Sequence, residues 1–233
     1  MTAQDRALAE RIYLFLAALF ITSLVVSNLI FQKFFTWQPI EISVFGVSLF
    51  ELSVGILPYP ITFLITDLIS EIYGKKKANL VVIAGIFASF FSMGILLLAD
   101  AVPASVNSPL DDTTFKAVFS LSPLAVLASM LAYLFAQFID IRLYHYWKEL
   151  TKGRMLWLRN NFSTFSSQFV DTLTVILLLS LFGVLPWNLF WGLVLSGFIF
   201  KVIVAAIDTP FLYLFVGLFR KRFGLGINEE IKE

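Results

Sequence analysis

The chain carries a succession of apolar blocks longer than any helix that a water-soluble domain of this size can cover. The first, IYLFLAALFITSLVVSNLIF, holds no charged residue from Ile12 to Phe31. A run of roughly 18 or more mainly apolar residues separates a membrane span from a buried core helix. Lipid offers no partner to a backbone N–H or C=O, so each block is expected to close its own hydrogen bonds as a helix. Spans are expected at Arg11–Phe31, Leu52–Tyr73, Ala78–Ala99, Val118–Ile141, Asn161–Leu185 and Leu189–Phe219. The fold class is therefore an all-α integral membrane protein, a six-transmembrane-helix bundle forming one domain over residues 1–233. The first block is too long for a signal-peptide core and lacks a small-residue cleavage site, so it is expected to remain as a span.

Four stretches depart from plain helix. In ILPYPI, Pro58 and Pro60 fall inside the second span, where the helix is expected to be kinked or unwound. Irregular backbone at membrane depth survives only where protein or a wet cavity covers it. The last span is overlong and must tilt, protrude or break, with Pro210 the obvious place for a break. IEISVFGVSLF, between the first two spans, alternates around Gly46 as a small hairpin would. DAVPASVNSPLDDTTFK reads as an external loop.

Basic residues fall at alternate connections: Arg6 and Arg11, then Lys75, Lys76 and Lys77, then Lys148, Lys152, Arg154 and Arg159, then Arg220, Lys221 and Arg222. The opposite connections hold only Lys33 and Lys116. The positive-inside rule places both termini in the cytoplasm, as an even number of spans requires.

A net charge of +1 gives no basic face for nucleic acid. The absence of cysteine excludes a thiol nucleophile or a thiolate metal site, and the single histidine, His145, has no companion for a metal set. No glycine-rich phosphate loop is present. Neither an enzyme nor a cofactor is expected.

The polar residues that lipid should have excluded carry the functional signal. Asp171 lies about 18 Å into its helix past Arg159. A carboxylate at that depth costs roughly 2.5–3.5 kcal/mol unless it faces protein or water. Asn161, Thr164, Gln168, Asp171 and Val175 follow helical spacing, so one face is polar to about its midpoint, as the wall of a cavity would be. Lys201 and Asp208 share a face of the last span with small Ala205 between them, and Lys201 has Asp171 or Asp208 as its partner. Such a pair either locks two helices or serves a site.

Asp67 and Glu71 share a face of the second span: Asp67 is open between function and packing, and Glu71 reads as a solvated or gate-like partner of the adjoining lysines. Gln137 and Asp140 repeat the amide-acid spacing at the cytoplasmic end of the fourth span, with Arg142 at hand to neutralise Asp140. Asn28, after Ser27, serves either packing or a ligand, and Tyr59 stands between two prolines. Gly85 with Ser89, and Gly192 with Ser196, have the spacing of helix contacts. Acids, amides and one lysine converging from several spans fit a transporter site for a small polar solute.

PITFLITDLISEIYGKKKA, AQFIDIRLYHYWK, FSTFSSQFVDTLTVILL and GFIFKVIVAAIDTP, with the pair Ser27–Asn28, resemble in order and spacing the signature stretches of the queuosine precursor transporter family, also known as the VUT vitamin-uptake family. The resemblance implies six-helix proteins of the bacterial cytoplasmic (inner) membrane that import 7-deazaguanine precursors of queuosine: the cyano base preQ0, the aminomethyl base preQ1, or queuine. A deazaguanine presents a ring N–H beside an exocyclic amine, which one carboxylate can accept as a pair, and a carbonyl that needs a donor. The resemblance then casts Asp171 as acceptor, Gln168, Asn28 or Lys201 as donor and Tyr59 or a nearby phenylalanine as a stacking ring, with Asp67 and Asp208 in the site and Glu71, Gln137 and Asp140 as gate residues. The partners implied are a small-molecule deazaguanine base and the lipid bilayer, with a homo-oligomer left open and no nucleic acid. Two other readings stand beside import: the substrate-binding subunit of an ATPase-energised vitamin importer, and a structural membrane protein whose buried charges only lock helices.

Overall fold

The structure is a computed structural model that describes residues 2–30, 33–36, 43–44, 47–48, 51–119, 123–183, 185–227 and 229–231. Its elements are α1 (Ala3–Ile30), β1 (Phe34–Thr36), β2 (Ser43–Val44), β3 (Val47–Ser48), β4 (Glu51–Ser53), a 3₁₀ turn (Val54–Ile56), α2 (Tyr59–Ile72), α3 (Gly74–Asp100), α4 (Asp112–Phe119), α5 (Pro123–Leu150), α6 (Leu156–Leu181), a second 3₁₀ turn (Trp187–Leu189) and α7 (Phe190–Phe223). Among the described residues, six helical segments are long and apolar enough to cross a membrane, in the order the apolar blocks predict, and the chain is a multi-pass membrane protein.

The second segment, Val54–Ile72, is the central one: 61% of its apolar window is buried against protein, whereas the windows of α1 and α3 are 22% buried. Of the two expected forms, the span is unwound ahead of the prolines rather than kinked at them. They start α2: Pro58 precedes the first turn and Pro60 lies within it, where a missing N–H costs no intrahelical bond. The backbone ahead of them is satisfied locally. Val54 N donates to Lys33 O at 2.7 Å, Gly55 N donates to Ser53 Oγ at 3.1 Å, and the Ser27 hydroxyl donates to the Gly55 carbonyl. α2 proper has 14 residues, so it is only about 21 Å long and its first turn lies well inside the bundle.

The segment between α1 and α2 is a nested pair of antiparallel ladders. Ser43 pairs with Ser48 and Val44 with Val47, inside an outer pair joining Phe34 to Ser53 and Thr36 to Glu51. The predicted hairpin is therefore present, although Gly46 itself lies outside the described residues, as does Phe31 at the predicted end of the first span. The external loop also differs from expectation. Its second half forms the short helix α4, opened by Asp111, whose Oδ1 accepts the Thr114 amide at 2.7 Å.

Of the outcomes expected for the overlong last span, tilt, protrusion or a break at Pro210, the break does not occur, for α7 runs through Pro210. Its 34 residues make about 51 Å of helix, more than a hydrocarbon core about 30 Å thick, so the excess is taken up by tilt and protrusion. Pro210 withdraws one backbone donor, and packing of α7 on α6 and α2 holds the helix across that defect.

Two packing features hold the bundle. Gly85 of α3 sits against the fully buried Phe20 of α1, where an added Cβ would stand 2.6 Å from Phe20 Cε1. At the Lys75–Lys77 end, Glu71 of α2 collects cations from three other helices. Its Oε1 accepts from Arg159 Nη2 at 2.5 Å and Arg220 Nη2 at 2.6 Å; Tyr144 donates to Oε2 at 3.1 Å, and Lys148 Nζ lies 3.6 Å from it. Lys148 also binds Glu230 at 2.8 Å, and Ile231 N donates to Ile72 O at 2.8 Å, so the C-terminal segment closes over this end. Glu71 is 1% exposed, so the expectation of a solvated partner for Lys75–Lys77 is corrected: it is the buried hub of α2, α5, α6 and α7.

Gly85→Ala is expected to destabilise the protein by about 1–3 kcal/mol through overpacking of the α1–α3 seam, seen as a lower thermal midpoint of the purified protein in detergent. Glu71→Gln leaves the cations of the hub without a counter-charge and is expected to cost about 3–5 kcal/mol. The same thermal measurement checks it, and a midpoint within error of the wild type would remove Glu71 from the hub.

Candidate functional site

The polar stripe of α6 is the floor of the site. Ser163, Thr164, Ser167, Gln168, Asp171 and Thr172 are all buried, at the i, i+4 and i+8 positions of one helical face. Phe162 and Phe169, on the opposite side, are exposed toward lipid. The helix folds this way because each of these hydroxyl, amide and carboxyl groups would lose hydration against lipid and finds partners only on the protein side.

Asp171 is the focus of the stripe. Its Oδ2 accepts the Tyr59 hydroxyl at 2.5 Å and the Lys201 ammonium at 2.5 Å. Lys201 Nζ also stands 4.6 Å from the centre of the Tyr59 ring, a cation–π contact that closes a triangle between α2, α6 and α7. The side chains of Asp171 and Lys201 are 6% and 12% exposed. Both oxygens of a buried carboxylate accept hydrogen bonds readily, yet no described residue donates to Asp171 Oδ1.

Two clefts flank this triangle. One, a narrow space of about 20 Å³, is bounded by Phe63, Gln168, Phe200, Lys201 and Asp208. The other, about 60 Å³, is bounded by Ser27, Asn28, Ser89, Tyr133 and Asp171. Tyr59 faces both, so the ring stands as a partition between them. Gln168 Oε1 is buried without a donor among the described residues. Lys201 and Asp208 do face one space, with Ala205 between them, and the lysine chooses Asp171 as its partner.

The remaining sequence candidates fall outside the triangle. Asn28 lies on the second cleft, with Nδ2 3.4 Å from Ser89 Oγ. Gln137 is fully buried and donates to the Tyr133 hydroxyl at 2.7 Å. Tyr133 in turn meets Tyr59 edge-on at 5.8 Å between ring centres. Asp67 and Asp140 form a separate buried pair between α2 and α5; Thr164 donates to Asp67 Oδ2 at 3.5 Å and Ser167 to Asp140 Oδ1 at 2.9 Å. Arg142 is exposed while Asp140 is fully buried, so Asp140 is not neutralised by its sequence neighbour. Glu71 belongs to the hub described above.

Sequence reasoning missed Tyr133, Phe63 and Phe200 as walls of the clefts, and Arg159, Lys148 and Arg220 as partners of Glu71. A signal was available for two of them. Arg159 shares the α6 face of Ser163 and Ser167 by four-residue steps, and Tyr133 precedes Gln137 by one turn. Among the described residues no group of three or more histidines and acids could hold a metal ion.

Residues 53–215, which contain every member of the triangle, match the family described as "Putative vitamin uptake transporter". A protein of Bacillus subtilis (strain 168) named "Probable queuosine precursor transporter" is 31% identical over 174 residues, covering 72% of this chain and 73% of the relative. No solved structure matches the chain. With the family matched across five of its six spans and a relative aligned over most of both chains, this protein belongs to the vitamin uptake transporter family that also holds the queuosine precursor transporters.

Proposed function

We propose that this protein imports 7-deazaguanine precursors of queuosine, preQ0, preQ1 or queuine, through a site built around Asp171, by transport rather than catalysis. The observation that carries the reading is the Asp171–Lys201–Tyr59 triangle between two clefts, a charged cluster set where lipid-facing helices tolerate none. The name of the Bacillus subtilis relative supports the substrate class.

The geometry shapes how such a base would bind. Asp171 Oδ2 already serves two donors, so a paired approach of ring N–H and exocyclic amine to that carboxylate alone is crowded. Asp171 Oδ1 takes one N–H and Gln168 Oε1, one turn earlier on the same face, takes the other. Lys201 has ammonium protons beyond the one given to Asp171, and these reach the carbonyl. The Tyr59 ring is covered on one side by Lys201, so Phe63 and Phe200 are the better stacking surfaces in the first cleft. Asn28 and the serines around it serve the substituent on the second side, Asp208 stands at the rim of the first cleft, and the Glu71 hub is the closed gate. Asp67 and Asp140 stand outside this binding set.

In bacteria unable to make queuosine, supplied with labelled preQ1, this protein is expected to restore modified tRNA. Asp171→Asn is expected to abolish that uptake with membrane insertion unchanged, because losing a hydrogen bond to a charged group costs about 1.5–3 kcal/mol, roughly 10- to 100-fold in affinity. Lys201→Met is expected to be milder. Equal and complete loss in both, with ligand binding intact in the purified variants, would instead make the pair a helix lock.

The positive-inside pattern supports a topology with both termini on the cytoplasmic side of a bacterial inner membrane. The chain has no cysteine, so single substitutions report cleanly. Asn107→Cys is expected to react with an impermeant maleimide on intact cells, and Thr151→Cys only after permeabilisation; the reverse pattern would invert the topology.

A further inference from the structure

The pair formed by Asp67 and Asp140 differs from every other buried acid in the bundle. The two residues are 3% and 0% exposed, and their carboxyl groups converge on one turn of α6, where Thr164 donates to Asp67 and Ser167 to Asp140. Asp171 has Lys201, and Glu71 has Arg159, Arg220 and Lys148. No described cation pairs with Asp67 or Asp140. What faces them is acidic or neutral: Asp208 from α7, Tyr144 and Tyr133 from α5, Tyr59 from the start of α2, and the hydroxyls of Ser163, Thr164 and Ser167 from α6. The cations nearest along α2 are those already bound to Glu71, one turn away.

Two carboxylates side by side and out of water cannot both stay ionised, and neither can donate to the other. Asp140 Oδ2 is buried with no donor among the described residues. A single proton removes one charge, supplies the missing donor and makes the bond between the two groups. A metal cation would need several oxygen ligands around it, and among the described residues no group of three or more histidines and acids could hold one.

We propose that Asp67 and Asp140 hold one exchangeable proton and that this proton is the coupling ion of transport. The second half of this statement rests on the import reading above. Two connections make the pair a coupling site. Thr164 donates to Asp67 and also lines the first cleft, so a molecule in that cleft acts on the group that touches the pair. Asp67 and Asp140 each precede a member of the Glu71 hub by four residues, Glu71 on α2 and Tyr144 on α5. Opening of the hub by movement of α2 against α5 separates the two carboxyls and admits water. The O–H bond of the protonated carboxyl then breaks, the proton passes to water, and two hydrated carboxylates remain; closure after reprotonation from the other side returns one proton per cycle.

The purified protein tests the first half without any substrate. At neutral pH its infrared spectrum is expected to contain the carbonyl stretch of a protonated carboxyl, lost in both Asp67→Asn and Asp140→Asn and kept in Asp111→Asn. The asparagine amide donates to the remaining carboxylate, which preserves the contact and the fold. Absence of the band in the wild type, or its survival in both variants, overturns the proposal.

Proteoliposomes test the second half with labelled preQ0. An acid-outside gradient of one pH unit is expected to drive up to about tenfold accumulation, the limit for one proton per neutral base. A protonophore should abolish it. Asp140→Asn should lose accumulation but keep exchange of labelled for unlabelled base. Exchange without pH-driven accumulation in the wild type, or accumulation that follows a sodium gradient, overturns proton coupling while leaving import intact. Failure of the wild type to exchange preQ0, preQ1 or queuine overturns import, and the infrared band then decides the proton site alone.

Discussion

A carboxylate buried among apolar helices must be given partners, and the bond from Lys201 and Tyr59 to Asp171 Oδ2 is the constraint from which the rest of the structure follows. The three residues come from α7, α2 and α6, so satisfying one oxygen fixes the rotation of three helices at once. It also explains the irregular entry to α2. A helix that crossed the whole membrane would place an ordinary mid-helix residue at this level. Starting α2 at Tyr59 instead brings the first turn inside the bundle, and the price of that unwound approach is met by Ser53, Lys33 and Ser27, which satisfy the backbone on either side of Gly55.

The buried acids of α2 show two opposite solutions one turn apart. Glu71 is surrounded by more positive charge than it carries, and Glu230 takes up part of the excess through Lys148. Asp67 meets another acid. A helix joining an over-neutralised carboxylate to an under-neutralised one couples them mechanically, because any shift of α2 that loosens the hub also moves Asp67 relative to α5. Such a network acts as a unit, and the contributions of its members do not add.

The apolar blocks made the six spans legible, because the requirement that lipid imposes on the backbone is local to each segment. The α6 stripe and the partnership of Asp171 with Lys201 were legible for a related reason: helical spacing fixes which residues share a face, and few charges were available to pair. What stayed hidden depends on how helices are turned toward one another. Glu71 adjoins three lysines in sequence but bonds to residues 77, 88 and 149 positions away in the chain, through Lys148, Arg159 and Arg220. Asp140 likewise ignores Arg142, which points to the surface. Pro58 and Pro60 announce the unwound entry but not which side of it they occupy, since a proline that would kink a helix interior is harmless in a first turn. Pro210 errs the other way: tertiary packing keeps α7 continuous where a lone helix would bend.

The choice of a lysine opposite Asp171 follows from what the proposed site must do. A guanidinium would grip both carboxylate oxygens in a rigid fork and leave none for an incoming N–H. An ammonium binds one oxygen as a point charge, keeps protons in reserve and swings on a flexible stem. When a base brings its own N–H to Asp171, the carboxylate is shared and Lys201 can turn toward the carbonyl without leaving its counter-charge. Tyr59 holds the same oxygen throughout and offers its ring to the cation, so the charge is never stranded in the apolar interior while the partners exchange.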